Sequence, residues 1–176
     1  MTRVGIVWLL AGLLVVGMIG APASADNDKD RTLTATLKGF EEPPSVSSTG
    51  RGSFRATISE DGTALTYTIS YEDLEGDVLQ SHIHLGQRGV NGGIAVFLCS
   101  NLGNGPEGTP ACPGPRAGTV SRTVTGADIV GPSGQGLTAG EFAELLRAID
   151  KNVTYANVHS SKHTGGEIRG QIESED

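Results

Sequence analysis

An all-β fold is what this sequence predicts: an antiparallel sandwich or Greek-key-like barrel of about eight strands, with one short amphipathic helix near 138–150. Three observations carry that expectation. Apolar residues recur at every second position in run after run, the mark of strands buried on one face. Clusters of Gly, Pro and Asn separate the runs, and the chain holds 26 glycines, as many tight turns require. A single stretch changes from the strand repeat to the helical one.

The elements follow in order. "TLTATLKGF" places Leu33, Ala35 and Leu37 on one face. "GSFRATIS" does the same for Phe54, Ala56 and Ile58, with Arg55 and Thr57 opposite. "EDG" turns the chain, and "TALTYTISY" alternates Leu65, Tyr67, Ile69 and Tyr71 against hydroxyl residues. Two alternating runs across an Asp-Gly turn read as an antiparallel hairpin. Further strands are expected at 78–85, 93–98, 118–125, 153–159 and 166–172. In "TAGEFAELLRAID", Thr138 and Glu141 have capping-box spacing. Phe142, Leu145, Leu146 and Ile149 then form one helical stripe, laid on the sheet and closing one end of the barrel.

The first 25 residues are set apart from this domain. "MTRVGIVWLLAGLLVVGMIGAPASAD" has one positive charge at Arg3, an apolar run over residues 4–19 and small residues at Ala23 and Ala25. That order predicts a signal peptide, 1–25, cleaved after Ala25 or alternatively after Ala23, and a single domain over 26–176. A retained membrane anchor is the rival reading. A spanning helix needs roughly 20 apolar residues, slightly more than this run supplies. Export makes the protein secreted, extracellular or periplasmic, with no membrane span after cleavage.

Thirteen basic residues against 20 acidic ones give a formal charge of −7, and the leader's only charge is Arg3. An acidic surface repels phosphate backbones, so nucleic acid is excluded as a partner and anionic membranes are disfavoured. Cys99 and Cys112 flank a Gly- and Pro-rich run. In an oxidising compartment they form a disulfide, worth ~3 kcal/mol in the chain-entropy model. A metal site using both sulfurs is the alternative, although the pair lacks C-x-x-C spacing.

The candidate chemistry lies in the histidines. In "VLQSHIHLG", Leu79, Ile83 and Leu85 face the core, so His82 and His84 share the opposite face. In "VTYANVHSSKHTGGEIRG", Tyr155, Asn157 and His159 alternate with Ala156 and Val158, and His163 follows in a turn. If the strands bearing His84 and His159 pair, three or four imidazoles meet. Three His ligands with an open position suit zinc or copper. The competing readings are a solvated polar face, a pH-responsive contact and acid–base groups. No catalytic or cofactor-binding residue is assigned: nucleophile elbow, phosphate loop and dinucleotide fingerprint are all missing. Glu167 and Arg169 share a strand face, where a cross-strand ion pair is the default. The acidic run Glu72, Asp73, Glu75 and Asp77 lacks the order of an EF-hand loop.

Three stretches together resemble the CHRD domain, the module first described in chordin and found in secreted microbial proteins as a stand-alone unit. They are "LTATLKGFEEPPSVSSTGRGSFRATIS", "SHIHLGQRGVNGGIAVFL" and "YANVHSSKHTGGEIRGQI". The resemblance covers residues 31 to 173 and implies an extracellular β-rich domain without implying an activity. The family often has Gly-Pro after its H-x-H, where this chain has "LGQRG"; a proline commonly precedes Gly-Glu-Ile-Arg-Gly, where Gly165 stands. At fold level the H-x-H strand is also similar to copper/zinc superoxide dismutases, but the dense His/Asp zinc loop of those enzymes is lacking. The expected function is therefore a secreted, non-enzymatic binding or structural module, with an extracellular protein or surface ligand as partner and a candidate metal site at His82, His84, His159 and His163. The alternative is a metal-dependent enzyme or metal chaperone using zinc or copper at His82, His84 and His159.

Overall fold

A computed structural model describes residues 1–2 and 31–175. But for its first two residues, the expected leader 1–25 lies outside them. Strict alternation of apolar and hydroxyl side chains makes the first three long strands: β1 (Arg31–Lys38), β2 (Arg51–Ile58) and β3 (Ala64–Glu72). β3 shows the pattern in its burial from Leu65 to Glu72, inward residues buried and outward ones exposed apart from the half-buried Ser70. β2 and β3 form the expected hairpin, with Gly62 supplying the positive φ of the turn. Then come β4 (Val78–Leu85), β5 (Gly93–Ser100), β6 (Gly118–Thr125), the helix α1 (Phe142–Asp150), β7 (Thr154–Ser160), β8 (Ile168–Gln171) and the two-residue β9 (Glu173–Ser174).

All strand pairs are antiparallel, in the order β5-β4-β7-β8-β1-β2-β3-β6, with β9 beside β1. The sheet curls into a nearly closed barrel. Its edges β5 and β6 are bridged by the segment after β6, where Val96 pairs with Ile129 and Val130 N–H donates to Ala95 O. The interior is one apolar cluster that includes Leu33, Phe54, Tyr67, Ile69, Ile83 and Val158. Tyr67 spans it and donates its hydroxyl to Leu98 O, which satisfies a polar tip that burial would otherwise penalise.

Several boundaries differ from expectation, two of them with a visible cause. The helix begins at Phe142, not Thr138; Glu141 Oε2 does accept from Thr138 N–H at 2.7 Å, but in the turn before the helix. Phe142, Leu145 and Ile149 are buried as the stripe predicts. The strand expected at 166–172 contracts to Ile168–Gln171. Gly166 has φ of 133°, which breaks the extended run ahead of it. Cys99 and Cys112 are joined by a disulfide that ties the 101–111 loop to β5. Among the described residues, no helix is long and apolar enough to cross a membrane.

Candidate metal centre

The pairing of β4 with β7 decides the site. In their register His82 lies opposite Asn157, His84 opposite Tyr155 and Gln80 opposite His159. β8 extends the rows, with Arg169 opposite Asn157 and Gln171 opposite Tyr155. Because side chains alternate, all of these point away from the apolar interior. All but the half-buried Gln80 are nonetheless buried, and β7 is buried along its whole length. The solvated face that the alternation suggested is covered by three loops. Residues 86–92 lie across Tyr155 and Arg169, residues 39–46 bring Glu42 against them, and the 161–167 turn meets His159. The outer face of this sheet is therefore a second, polar interior.

Among the described residues, His82, His84 and His159 are the one group whose ligand atoms could hold a metal ion, all within 4.8 Å of one another. The closest pair is His82 Nδ1 and His159 Nε2 at 3.2 Å. Nitrogens sharing an ion at ~2.0–2.1 Å stand about 3.3–3.5 Å apart, so small ring rotations complete the site. Two carbonyls orient the rings. His84 Nδ1–H donates to Gly92 O at 2.9 Å, and His159 Nδ1–H donates to Thr164 O at 3.0 Å. A carbonyl only accepts, so the hydrogen sits on Nδ1 and each Nε2 carries a lone pair; that of His159 accepts from His82 Nδ1–H, and that of His84 has no partner. This is the outer-shell arrangement that orients metal-ligating histidines. His82 Nε2, His84 Nε2 and Asn157 Oδ1 are buried acceptors with no hydrogen-bond partner. Such a concentration of unmatched acceptors is costly, and a cation would relieve it.

Electrostatics agree with the geometry. Burial, aided by the neighbouring histidines, drives the His82 pKa down to about 2; burial also lowers His84 to about 4 against the opposing pull of the Gly92 carbonyl. His159 is lowered as well, again by burial. All three are neutral at neutral pH, the form that binds metals. Burial pushes Glu42 up to about 7 despite the charge of Arg169 and the Asn157 amide.

A stack of side chains backs the triad. The His84 and Tyr155 rings lie 4.8 Å apart with an interplanar angle of 2°, and the Arg169 guanidinium sits 3.3 Å from the Tyr155 ring centre. Arg169 Nη2 also donates to Gln87 O and Val90 O, while Tyr155 Oη accepts from Gly92 N–H. The loop whose Gly92 carbonyl orients His84 is thus clamped by the stack on which His84 rests.

Other expectations fall differently. His163 stands apart from the triad, its Nε2 3.4 Å from Glu75 Oε2. Among the described residues neither Glu167 nor Arg169 makes the expected cross-strand ion pair: Glu167 accepts from Ser48 Oγ and Glu75 N–H, whereas Arg169 serves the stack. The acidic run is neutralised piecemeal, Glu72 and Asp73 by Arg51, Glu75 by Lys162 and Asp77 by Arg116. Sequence reasoning missed Glu42, Tyr155, Asn157 and Arg169 as parts of the site. The available signal was the polar outward row of β7, Tyr155, Asn157 and His159, too rich in hydrogen-bonding groups for a plain solvent face.

Neither the curated proteins nor the solved structures yield a match to the chain. The CHRD domain family does, over residues 33–172, which runs from within β1 to the end of β8 and takes in all three histidines of the triad. With its β-barrel and that span, the chain belongs to the CHRD family.

Proposed function

We propose that this CHRD domain is an exported, non-enzymatic binding module that holds one transition-metal ion, zinc or copper, at His82, His84 and His159. One observation carries the reading: three imidazoles offer ligand nitrogens within 4.8 Å of one another, two of them are oriented by backbone carbonyls, and His82 Nε2 and His84 Nε2 are buried with no hydrogen-bond partner. A polar cluster arranged only for internal hydrogen bonding would pair these acceptors with N–H or O–H groups. The disulfide supports export, since such bonds persist in oxidising compartments. His163, held beside Glu75, is outside the proposed ligand set.

Metal analysis and calorimetry on the purified chain test the site. The expected result is one equivalent bound at micromolar or tighter affinity, lost by roughly 100-fold or more in a His82→Ala/His84→Ala variant. Binding at millimolar levels only, unchanged in the double variant, would remove the metal reading.

A further inference from the structure

We infer that the site selects a monovalent ion, copper(I), over divalent zinc or copper, and that Arg169 is the residue that sets this preference. The inference rests on the triad being a metal site and adds the identity of the ion.

Charge makes the first argument. The donor set comprises three imidazoles and no carboxylate or thiolate. Its members are buried, His82 completely and His84 and His159 to within 7% exposure. The cost of burying an ion grows with the square of its charge, so a divalent ion among neutral ligands is penalised about fourfold more than a monovalent one. Zinc sites of this kind ordinarily recruit a further ligand to make four. Three nitrogens are enough for the cuprous ion, whose filled d shell accepts trigonal coordination.

Arg169 makes the second. Its guanidinium is 1% exposed and always protonated. It stacks on Tyr155, and Tyr155 stacks on the ligand His84. Since β4 and β8 flank β7 on opposite sides, a fixed positive charge stands one aromatic ring away from the ion. Glu42 faces Arg169 and Asn157 rather than joining the donor set, so its charge answers that of Arg169. Glu167 is likewise committed, to Ser48 Oγ and the Glu75 amide. A second unit of charge on the ion meets the part of this field that Glu42 leaves uncompensated.

Competition with chromophoric chelators tests the preference: copper(I) under anaerobic reducing conditions, zinc(II) and copper(II) in air. The purified chain is expected to bind copper(I) at least about 100-fold more tightly than zinc(II), and more tightly than copper(II). Arg169→Gln should narrow the monovalent preference by roughly tenfold, the scale of one charge at this separation in a medium of intermediate dielectric. Arg169→Lys should retain it. Because each ratio is taken within one protein, general loosening of the fold cancels. If Arg169→Gln fails to fold, Glu42→Gln serves, removing a negative charge and widening the preference. Zinc(II) binding more tightly than copper(I), or ratios unmoved by these substitutions, overturns the inference while leaving the triad as a metal site. Failure of every ion to bind below millimolar levels sinks the underlying site instead.

Discussion

β3 and β7 belong to one barrel, yet they treat their outer faces in opposite ways. In β3 the inward residues Leu65, Tyr67, Ile69 and Tyr71 are buried, while Thr66 and Thr68 meet solvent and pair with Thr123 and Ser121 on β6. In β7 the inward residues are just as buried, but outward Tyr155, Asn157 and His159 are buried too. Among the described residues nothing covers the one; three loops cover the other. A sheet face becomes a site when loops exclude water from polar side chains, because desolvation sharpens every charge and leaves each unpaired acceptor in need of a partner.

That contrast can be broken at several points. The largest effect should come from the interior both strands share. Ile69→Ala, at a fully buried position of β3, should cost ~2–5 kcal/mol, read as a lower urea midpoint at unchanged slope.

Acidification should discriminate the two outer faces. His82 and His84 have folded pKa values below the ordinary value of 6.5. The unfolded chain therefore binds more protons, and the stability they contribute above 6.5 is lost as pH falls from there towards their folded values. From pH 7 to pH 5 each should cost about 2 kcal/mol, with His159 acting in the same direction. Glu42 acts oppositely, its folded pKa of about 7 standing above the ordinary value of 4.5, so it adds stability as pH falls and offsets about one histidine. Denaturant melts at the two pH values should show a net loss that shrinks in the His82→Ala/His84→Ala variant. A slope of the same size in both proteins would show that the buried imidazoles are not its source.

The smallest effect belongs to the exposed face. Thr68→Ala removes a surface hydroxyl pair with Ser121 and should shift stability by no more than about 0.5 kcal/mol. A larger loss would mean that the hydroxyl face of β3 is covered or coupled in a way its exposure does not suggest.

Much of this was legible residue by residue. Leu33, Phe54, Tyr67 and Ile69 announced an inward face through their spacing, because a strand's two-residue repeat is a local property. His82 and His84 could be placed on one face of one strand for the same reason. His159 could be assigned a face but not a neighbour: that it lies beside His82 depends on β4 and β7 pairing across a separation of 77 residues. Glu42 was less visible still, because only the path of the 39–46 segment over β7 and β8 brings it to Asn157 and Arg169. Arg169 was expected in an ordinary cross-strand ion pair, since strand parity does not reveal that it stacks on a tyrosine ring instead.

By itself, the order of residues determined the period of each strand, the position of the turns, the face on which each histidine stands and the membership of the CHRD family. These follow from the chain's own geometry over a few residues or from whole-length similarity. Only the tertiary structure decided which strands adjoin, which face the loops seal and therefore whether those histidines meet water or one another. Burial and convergence are relations between distant segments, and no local repeat encodes them.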